Sequence, residues 1–462
     1  MADHDLIVIG GGAAGMSAAR EGRRLGASVL LVSEGPLGGE CLYTGCVPSK
    51  ALIAAGAAGE SFAQGMARVR ASIEQIAATE DDDTLRAEGI EVLHERARLA
   101  GDRGVEIAGS RRSARGVVIA TGAGPAVPGI PGLSALAPLT NEDVFELEQM
   151  PASLAVLGGG PIGCELAQAF ARLGVRVTLL EQLPRLLPGE EPEASEVVAT
   201  ALSRDGVDVR TGVRVERAEA GGEGAALAGD GWRVEAERVL VAAGRVPRTD
   251  GLDLEAAGVE QRPGGYVKTD DRLATAAPGV YAVGDVTGRM AFTHAAALMG
   301  RIAAGNALRR RGGERFDPTP IPWVTFTQPE VARVGMLESE AVEHGGRVAE
   351  LPMARVDRAI VEGQTDGFVK LIVGPRGLLR NAGGGRVLGA TIVAARGGEM
   401  IHEPALAMRA NMFAGRLAQA THAYPTWSIA VQMAAAQLFV EIDGRTARPA
   451  RAEAPAEPAP AS

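Results

Sequence analysis

The sequence predicts an α/β fold in which two Rossmann-like dinucleotide-binding units precede a separate C-terminal domain. Two observations carry this prediction. An apolar strand, a glycine-rich loop, a helix-like stretch and a second apolar strand occur twice in the same order, 148 residues apart. The chain of 462 residues is also long enough for about three domains. Two nucleotide-binding βαβ units in one chain are the economical explanation of such a repeat.

The composition limits the class of protein. Hydrophobic residues make up 46% and charged residues 23%, which is the balance of a soluble globular protein. The formal net charge of -10 argues against a nucleic-acid partner. No apolar run reaches the roughly 18 residues of a membrane span, and the first strand is not preceded by the basic segment of a signal peptide. We therefore expect a cytoplasmic protein with no nucleic-acid or membrane partner.

Both glycine loops have the spacing of a phosphate-binding turn. In such loops the first glycine permits a tight turn, the second lets the backbone approach a pyrophosphate, and the third lets helix and strand pack closely. The pyrophosphate then lies at a helix N-terminus, where free N–H groups favour anions. The glycines predicted to do this are Gly10, Gly12 and Gly15 in the first loop and Gly158, Gly160 and Gly163 in the second.

An acidic residue at the end of the following strand usually binds a ribose hydroxyl. Glu181 has this position in the second unit. Its carboxylate would accept from a free 2′-hydroxyl and repel a 2′-phosphate, which favours NADH over NADPH, although Arg185 is close enough to soften this preference. In the first unit the corresponding position is Ser33, so the next residue, Glu34, is the candidate.

The remaining elements are less diagnostic. Strands are predicted at 6–9, 29–32, 117–122, 154–157, 175–180 and 240–244 in the two units, a helix follows each glycine loop to about Leu25 and Leu173, and 68–91 is polar and helix-favouring. The segment 320–327 is predicted to start a separate domain, with strands at 368–373 and 387–393 and helices at 403–420. Residues 445–462 are mostly Ala, Pro, Glu and Arg, and we expect them to be disordered.

Cys41 and Cys46, with four residues between them, form the most informative motif. They can close a small disulfide ring if both lie in the first turn of a helix, where the helix N-terminus and a cationic neighbour lower the pKa of a thiol. The thiolate attacks disulfides, binds soft metals and donates charge to a flavin. A zinc site would need two further ligands, and structural disulfides are rare in a reducing compartment. We therefore expect a redox pair, and expect Cys164 to be a packed helical thiol.

These motifs together resemble the class I pyridine nucleotide-disulfide oxidoreductase family, which includes dihydrolipoamide dehydrogenase, glutathione reductase and mercuric reductase. The resemblance covers roughly residues 4–444. It is carried by the two glycine loops and by the segments 41–50, 120–122, 243–245, 275–285 and 326–332.

The resemblance implies a domain organisation and a set of residue roles. The domains would be an FAD-binding domain at 1–143 and 265–318, an NAD(P)H-binding domain at 144–264 and an α+β dimerisation domain at 319–444. Cys46 would face the flavin and Cys41 the substrate, while Lys50 would pair with Glu165 beside the flavin. The other implied cofactor contacts are Ala97, Thr121, Gly122, Gly284 and Asp285 for FAD, with Gly158 to Glu165, Glu181 and Gly244 for NAD(H). Family members are homodimers in which one subunit completes the active site of the other.

The chain departs from the family pattern at its general base. Relatives that use dithiols carry a His followed five positions later by a Glu, and here these positions hold Tyr424 and Ile429. The reference pKa of a tyrosine is about 10 against about 6.5 for a histidine, so Tyr424 would supply little base catalysis. His422 could substitute, or could be a surface or interface histidine. Glu40, where relatives usually have Thr, is expected to raise the pKa of Cys41.

Three functions follow from the sequence. The first is an FAD-dependent NAD(P)H oxidoreductase of cell redox homeostasis that passes two electrons through Cys41 and Cys46 to a disulfide or dithiol such as lipoamide. The second ends the same electron path at a soft metal ion or another small acceptor, as mercuric reductases do, although no cysteine pair follows Cys164. The third is a flavin-bound redox-sensing scaffold without catalysis. The remaining histidines show no metal-ligand spacing, and we assign no metal.

Overall fold

The computed structural model describes residues 2–222, 224–309 and 312–453. The first part contains β1 (His4–Ile9), α1 (Ala13–Arg24), β2 (Val29–Val32), α2 (Gly39–Tyr43), α3 (Cys46–Ala57), α4 (Phe62–Ala77), α5 (Asp82–Ala87), β3 (Glu91–Leu93), β4 (Ala97–Leu99), β5 (Gly104–Ile107), β6 (Ser110–Ile119) and β7 (Ala123–Pro125). The second contains β8 (Ser153–Leu157), α6 (Pro161–Arg172), β9 (Arg176–Glu181), α7 (Pro192–Arg204), β10 (Asp208–Thr211), β11 (Arg217–Gly221), β12 (Gly224–Gly229), β13 (Trp232–Ala236), β14 (Arg238–Val241) and β15 (Arg245–Pro247). The third contains β16 (Val280–Ala282), α8 (Thr293–Leu308), β17 (Trp323–Thr325), β18 (Glu330–Gly335), α9 (Glu338–Ala341), β19 (Arg347–Pro352), α10 (Asp357–Val361), β20 (Phe368–Gly374), β21 (Arg386–Ala394), α11 (Gly397–Met400), α12 (His402–Arg409), α13 (Gly415–Gln419), α14 (Ile429–Ala436) and β22 (Arg448–Pro449).

Two sheets with parallel central strands form the nucleotide-binding part of the molecule. The first has seven strands: β3, β2, β1, β6 and β16 pair in parallel in that order, and β5 and β4 extend it from β6 by antiparallel pairing. The second has the parallel order β10-β9-β8-β14. Their central strands are buried on both faces, so they read as continuous runs of Val, Leu and Ile. The predicted repeat is confirmed, because β1, α1 and β2 recur as β8, α6 and β9.

The chain leaves the first sheet after β6 and returns to it at β16, which pairs in parallel with the second half of β6. Between these strands it builds the second sheet and an antiparallel sheet of β11, β12 and β13. A short antiparallel pair, β7 with β15, joins the two halves of the molecule. The predicted domain boundaries at 143, 264 and 318 stay predictions.

The C-terminal domain is an antiparallel sheet of order β17-β18-β21-β20-β19-β22, with helices α11 to α14 packed on it around one apolar cluster. The predicted disordered tail begins too early. β22 pairs with β19, and Arg448 donates to Glu338 at 2.9 Å, so residues 445–453 lie against this domain. The rest of the predicted tail, 454–462, lies outside the described residues. In the part of the chain that the structure describes, no helix is both long and apolar enough to span a membrane.

A buried lysine fastens the second sheet to the C-terminal domain. Lys370, on β20, is 1% exposed, and its Nζ lies 3.0 Å from Glu191, 2.9 Å from Glu193 and 3.1 Å from Glu338. Burial lowers the pKa of Lys370, but the carboxylates outweigh this effect and raise it. Because the ammonium lies among these carboxylates, their clustering is explained as an ion-pair network between two domains.

Replacing Lys370 by methionine should destabilise the protein by about 3 kcal/mol, because it leaves the buried carboxylate of Glu191 without a counter-charge. The measurement is the unfolding midpoint in denaturant. Lys268→Met is the matched control, since its pair with Glu260 is more than half exposed and is worth less than about 1 kcal/mol. Equal effects of the two substitutions would contradict the assignment.

Candidate active site

The two glycine loops have the same geometry at their first and third glycines. Gly10 and Gly158 have φ of 114° and 111°, a region that favours glycine. A Cβ on Gly15 would lie 1.8 Å from the carbonyl oxygen of Gly10, and one on Gly163 would lie 1.9 Å from that of Gly158. Helix and strand therefore approach so closely at both sites that only glycine fits.

The second glycine of each loop borders open space. A Cβ on Gly12 would meet nothing nearer than 4.0 Å, and one on Gly160 would meet nothing within that distance. Helices α1 and α6 begin at the next residue, and no side chain caps either N-terminus. Each loop thus offers an uncapped helix N-terminus beside free volume, which fits the pyrophosphate of a dinucleotide.

The carboxylate of Glu181 lies against the second loop. It is buried, and it accepts from the backbone N–H of Gly159 at 2.6 Å and of Leu183 at 2.7 Å. Arg185 does not pair with it. The Arg185 guanidinium donates to the carbonyls of Pro188 and Glu190 and lies 3.1 Å from Glu453.

In the first loop the corresponding position is taken by Ser33 and not by Glu34. A Cβ on Gly11 would lie 2.6 Å from the hydroxyl of Ser33, as one on Gly159 would lie against Glu181. The side chain of Glu34 is 69% exposed and lies 3.6 Å from Arg96. The expectation for Glu34 therefore needs correction, because a shift of one residue along a strand turns the side chain to the other face.

The two cysteines lie in consecutive helices. Cys41 is the middle residue of the five-residue α2 and Cys46 is the first residue of α3, so the condition that both lie in one helical turn is not met. Gly45 makes the reversal between them possible, since a Cβ there would lie 2.9 Å from the carbonyl oxygen of Glu40. Both thiols are free, and each has the largest effect on the pKa of the other.

The environment shifts the pKa values of the two thiols in opposite directions. The hydrogen bond from Cys41 is the largest cause that lowers the pKa of Cys46 to about 6, and Thr293 and Lys50 add to it against the effect of burial. The Cys46 sulfur lies 3.3 Å from the hydroxyl of Thr293. The pKa of Cys41 is raised by the hydrogen bond with Cys46 and by burial. Near neutral pH the thiolate of the reduced pair is therefore Cys46.

Lys50 and Glu165, which the resemblance paired, are brought together. Lys50 Nζ donates to Glu165 Oε2 at 2.8 Å and lies 4.5 Å from the centre of the Phe326 ring. The other oxygen of Glu165 accepts from the backbone N–H of Phe326 at 2.8 Å. Helices α3 and α6 approach closely at Gly56, where a Cβ would lie 3.1 Å from the side chain of Arg172. The cation beside Cys46 is thus held from two domains.

Glu40 is paired and does not act on Cys41 as expected. Its carboxylate accepts from both terminal nitrogens of Arg245, which also lies 3.3 Å from Asp285. The causes that raise the pKa of Cys41 are Cys46 and burial. The pKa of Cys41 is thus raised, as predicted, but the largest causes are Cys46 and burial, and a neighbouring guanidinium offsets the charge of Glu40.

Of the other residues predicted for the cofactor, Asp285 lies beside Arg245 in the same region. Burial raises the pKa of Asp285, and Arg245 opposes this effect. The Nε of Arg245 is buried without a hydrogen-bond partner, which leaves a donor for a bound group. Gly122, Gly244 and Gly284 all have positive φ. Thr121 donates a hydrogen bond to the carbonyl of Arg248, and Ala97 is buried in β4.

The two candidate bases point to other partners. The phenol of Tyr424 is 72% exposed and donates to Asp357 at 2.7 Å, and this hydrogen bond raises the pKa of Tyr424. His422 pairs with Glu403 at 2.9 Å and with the carbonyl of Ala420 at 3.0 Å. Tyr424 is therefore a proton donor in this structure and not a base.

Sequence reasoning missed Thr293, Arg245 and Phe326 as parts of this site. Arg245 and Phe326 lie within segments that carried the resemblance, but nothing in those segments shows which side chain they meet. Thr293 begins α8, 247 residues after Cys46, and no local pattern marks it.

Replacing Thr293 by valine should raise the pKa of Cys46 by about one unit, because it removes one hydrogen bond to the thiolate without changing the size of the side chain. The check is a pH titration of the thiolate absorbance of the reduced protein. Thr293→Ser, which keeps the hydroxyl, is the control. A midpoint that valine leaves unchanged would show that the hydroxyl does not stabilise the thiolate.

Comparisons with known proteins agree over nearly the whole chain. Residues 4–300 match the family model described as pyridine nucleotide-disulphide oxidoreductase, and residues 321–435 match its dimerisation domain. A mercuric reductase of Staphylococcus aureus is 35% identical over 94% of this chain and 82% of its own. A dihydrolipoyl dehydrogenase of Thermus scotoductus is 34% identical over 95% and 98%. The solved Cu(II) complex of the HOCl-induced flavoprotein disulfide reductase RclA from Escherichia coli has a TM-score of 0.86 and 29% identity over 94% and 99%.

Proposed function

The chain belongs to the pyridine nucleotide-disulphide oxidoreductase family, and from this premise we propose that it carries two electrons from NADH through Cys41 and Cys46 to a small acceptor. It is a flavoprotein disulfide oxidoreductase with the FAD- and NAD(P)H-dependence of its family. Beyond this activity we propose NADH as the electron donor, a small acceptor and the roles of the individual residues.

The residues of the two loops fit the two dinucleotides. The first loop would hold FAD, with Ser33 facing the ribose in place of an acid and Asp285 near the ribityl chain. The second would hold NADH, because the carboxylate of Glu181 disfavours a 2′-phosphate and Arg185 is held by carbonyl groups. Bound FAD supplies two-electron transfer between the nicotinamide and the sulfurs.

The chemistry of the chain itself is thiol–disulfide exchange. Two electrons and two protons convert the Cys41–Cys46 disulfide into two thiols, and Cys46 gives up its proton first because its pKa is about 6. With a disulfide acceptor, the sulfur of Cys41 forms a mixed disulfide and releases one thiol. The Cys46 thiolate then attacks Cys41, restores the disulfide and releases the second thiol. Lys50 stabilises the thiolate throughout.

One observation carries the proposal: a thiolate-forming Cys46 hydrogen-bonded to Cys41 next to the Lys50–Glu165 pair. The test is an anaerobic titration of the purified FAD-loaded protein with NADH, followed by lipoamide, glutathione disulfide and Hg(II) in turn. A long-wavelength band from a thiolate beside the flavin, and its loss on addition of an acceptor, are expected. A protein that neither NADH nor NADPH reduces would leave only the scaffold hypothesis.

The hydrogen bonding of Tyr424 affects which acceptor the site suits. The sequence led first to a disulfide or dithiol such as lipoamide, whose oxidation needs a base for the interchange thiol. Tyr424 donates a hydrogen bond to Asp357, so its phenol keeps its proton and is not poised to accept one from a thiol. A soft metal ion bound by the two sulfurs needs no such base once the thiols are ionised, so this observation favours it as the second candidate.

Restoring the family's base should create dithiol turnover. The double substitution Tyr424→His with Ile429→Glu should raise the rate with dihydrolipoamide by about 10²- to 10⁴-fold, the range for a positioned general base. The measurement is NAD⁺ reduction against pH, where the gain should appear as the histidine loses its proton. Tyr424→Phe, which removes only the hydroxyl, is the control. An equal gain in both variants would refute the assignment.

We also propose that the active protein is a homodimer assembled through the C-terminal domain. That domain carries the family's dimerisation model. It also exposes large apolar side chains, of which the fully exposed Leu378 is the extreme case. Others are Val342, Ile360, Val361, Leu379, Leu406, Phe439 and Val440.

A further inference from the structure

The helix that carries Cys41 has little to hold it in place by itself. α2 has five residues, and its N-cap, Gly38, makes no side-chain capping bond. A helix of this length is marginal without tertiary contacts. The position of Cys41 must therefore be set by groups outside α2.

Two side chains from other segments grip α2 on either side of Cys41. Asn141, 6% exposed, donates to the Glu40 carboxylate at 3.0 Å and to the carbonyl oxygen of Thr44 at 3.1 Å. Arg245, at the start of β15, donates to both oxygens of Glu40 and to the carbonyl of Ala123. Glu40 directly precedes Cys41, and Thr44 follows it by three residues, so these contacts hold the segment on both sides of Cys41.

The same contacts place a charged pair at the residue that precedes Cys41. Glu40 and Arg245 form a pair whose side chains are 19% and 20% exposed, so solvent screens it only partly. Asp285 lies on the other side of the guanidinium, and Lys50 and Glu165 form a second neutral pair near Cys46. Arg245 is thus the cation that contacts Glu40, and it also faces Asp285.

We propose that Glu40, Asn141 and Arg245 form a clamp that positions Cys41 for exchange and cancels the charge that Glu40 would otherwise place beside the sulfurs. Glu40 and Arg245 are positioning residues, since neither contacts a sulfur in the structure. The inference rests on the proposed function, because it assigns the clamp to the dithiol pair. It also explains how a carboxylate is tolerated where relatives carry threonine.

The test uses substitutions that change the charge in opposite directions. Glu40→Gln removes a negative charge and leaves Arg245, so it should lower the pH at which the thiolate forms by about half a unit. Arg245→Met leaves Glu40 uncompensated and should raise that pH by a similar amount. The double variant has the net charge of the natural site and should return close to the original value. Asn141→Ala changes no charge, so it should leave the midpoint in place while slowing alkylation of Cys41 by iodoacetamide.

The readout is the pH midpoint of the long-wavelength thiolate band in the NADH-reduced protein. For a variant that does not retain FAD, the ultraviolet thiolate absorbance of the chemically reduced protein gives the same midpoint. Shifts of the same sign in both single variants, or no shift in either, would overturn the clamp. A wild-type protein that shows no thiolate band on reduction by NADH would instead overturn the proposed function.

Discussion

The substitution Cys46→Ser should abolish the long-wavelength thiolate band and reduce the NADH-driven turnover of any sulfur or soft-metal acceptor by at least about 10³-fold. The expectation follows from the separation of the two thiols, because Cys46 has its pKa lowered to about 6 while that of Cys41 is raised. Without Cys46 there is no thiolate to attack Cys41 in the mixed disulfide and release the second thiol of the acceptor. The measurements are stopped-flow absorbance and steady-state turnover.

Serine at position 41 should give the complementary result. Turnover should fall as far, because no mixed disulfide can form, yet the thiolate of Cys46 should persist without any reductant. A serine hydroxyl can still donate to Cys46, whereas Cys41→Ala removes this donor and should raise the pKa of Cys46. A band that depends on Cys41 and survives loss of Cys46 would reverse the assignment of the two sulfurs.

The second large effect is expected at the second glycine loop. Gly163→Ala would bring a Cβ to 1.9 Å from the carbonyl oxygen of Gly158 and must displace α6 from its strand. NADH binding should weaken by at least about 100-fold while the first loop still holds FAD, so dithionite should reduce the flavin normally although NADH does not.

A matched control exists in α8. A Cβ on Gly305 would meet nothing within 4 Å, so Gly305→Ala makes the same chemical change without a clash and should leave reduction by NADH intact. The comparison is made by NADH titration of flavin absorbance in both variants. If both variants lost reduction by NADH equally, the cause would be a general loss of stability and not a change in the second glycine loop.

The sequence predicted those parts of the fold that depend on local pattern. β2 was placed at its observed bounds, and the glycine spacing located both loops, because turn geometry and strand burial leave a mark on adjacent residues. The predicted helix at 68–91 is two helices, α4 and α5. The tail was misjudged at 445–453, where pairing with β19 outweighs an Ala- and Pro-rich composition.

The site residues that the family resemblance supplied could be predicted. The residues whose partners lie far away in the sequence could not. Lys50 and Glu165 were paired correctly in space. Glu40 was judged from its neighbour in the sequence, but its charge is balanced by Arg245, 205 residues away. Glu34 was chosen for its charge, although strand alternation turns it outward and leaves Ser33 at the loop.

Glu165 has a consequence for how assembly and chemistry are linked. One of its oxygens steers the cation beside the reactive sulfur, and the other is tied to the main chain of Phe326, just after β17. A poorly docked C-terminal domain would free that oxygen and let Lys50 drift from Cys46. A subunit without its docked C-terminal domain would then have a higher Cys46 pKa and a smaller fraction of thiolate, because Lys50 is one of the groups that lower this pKa, after Cys41 and Thr293.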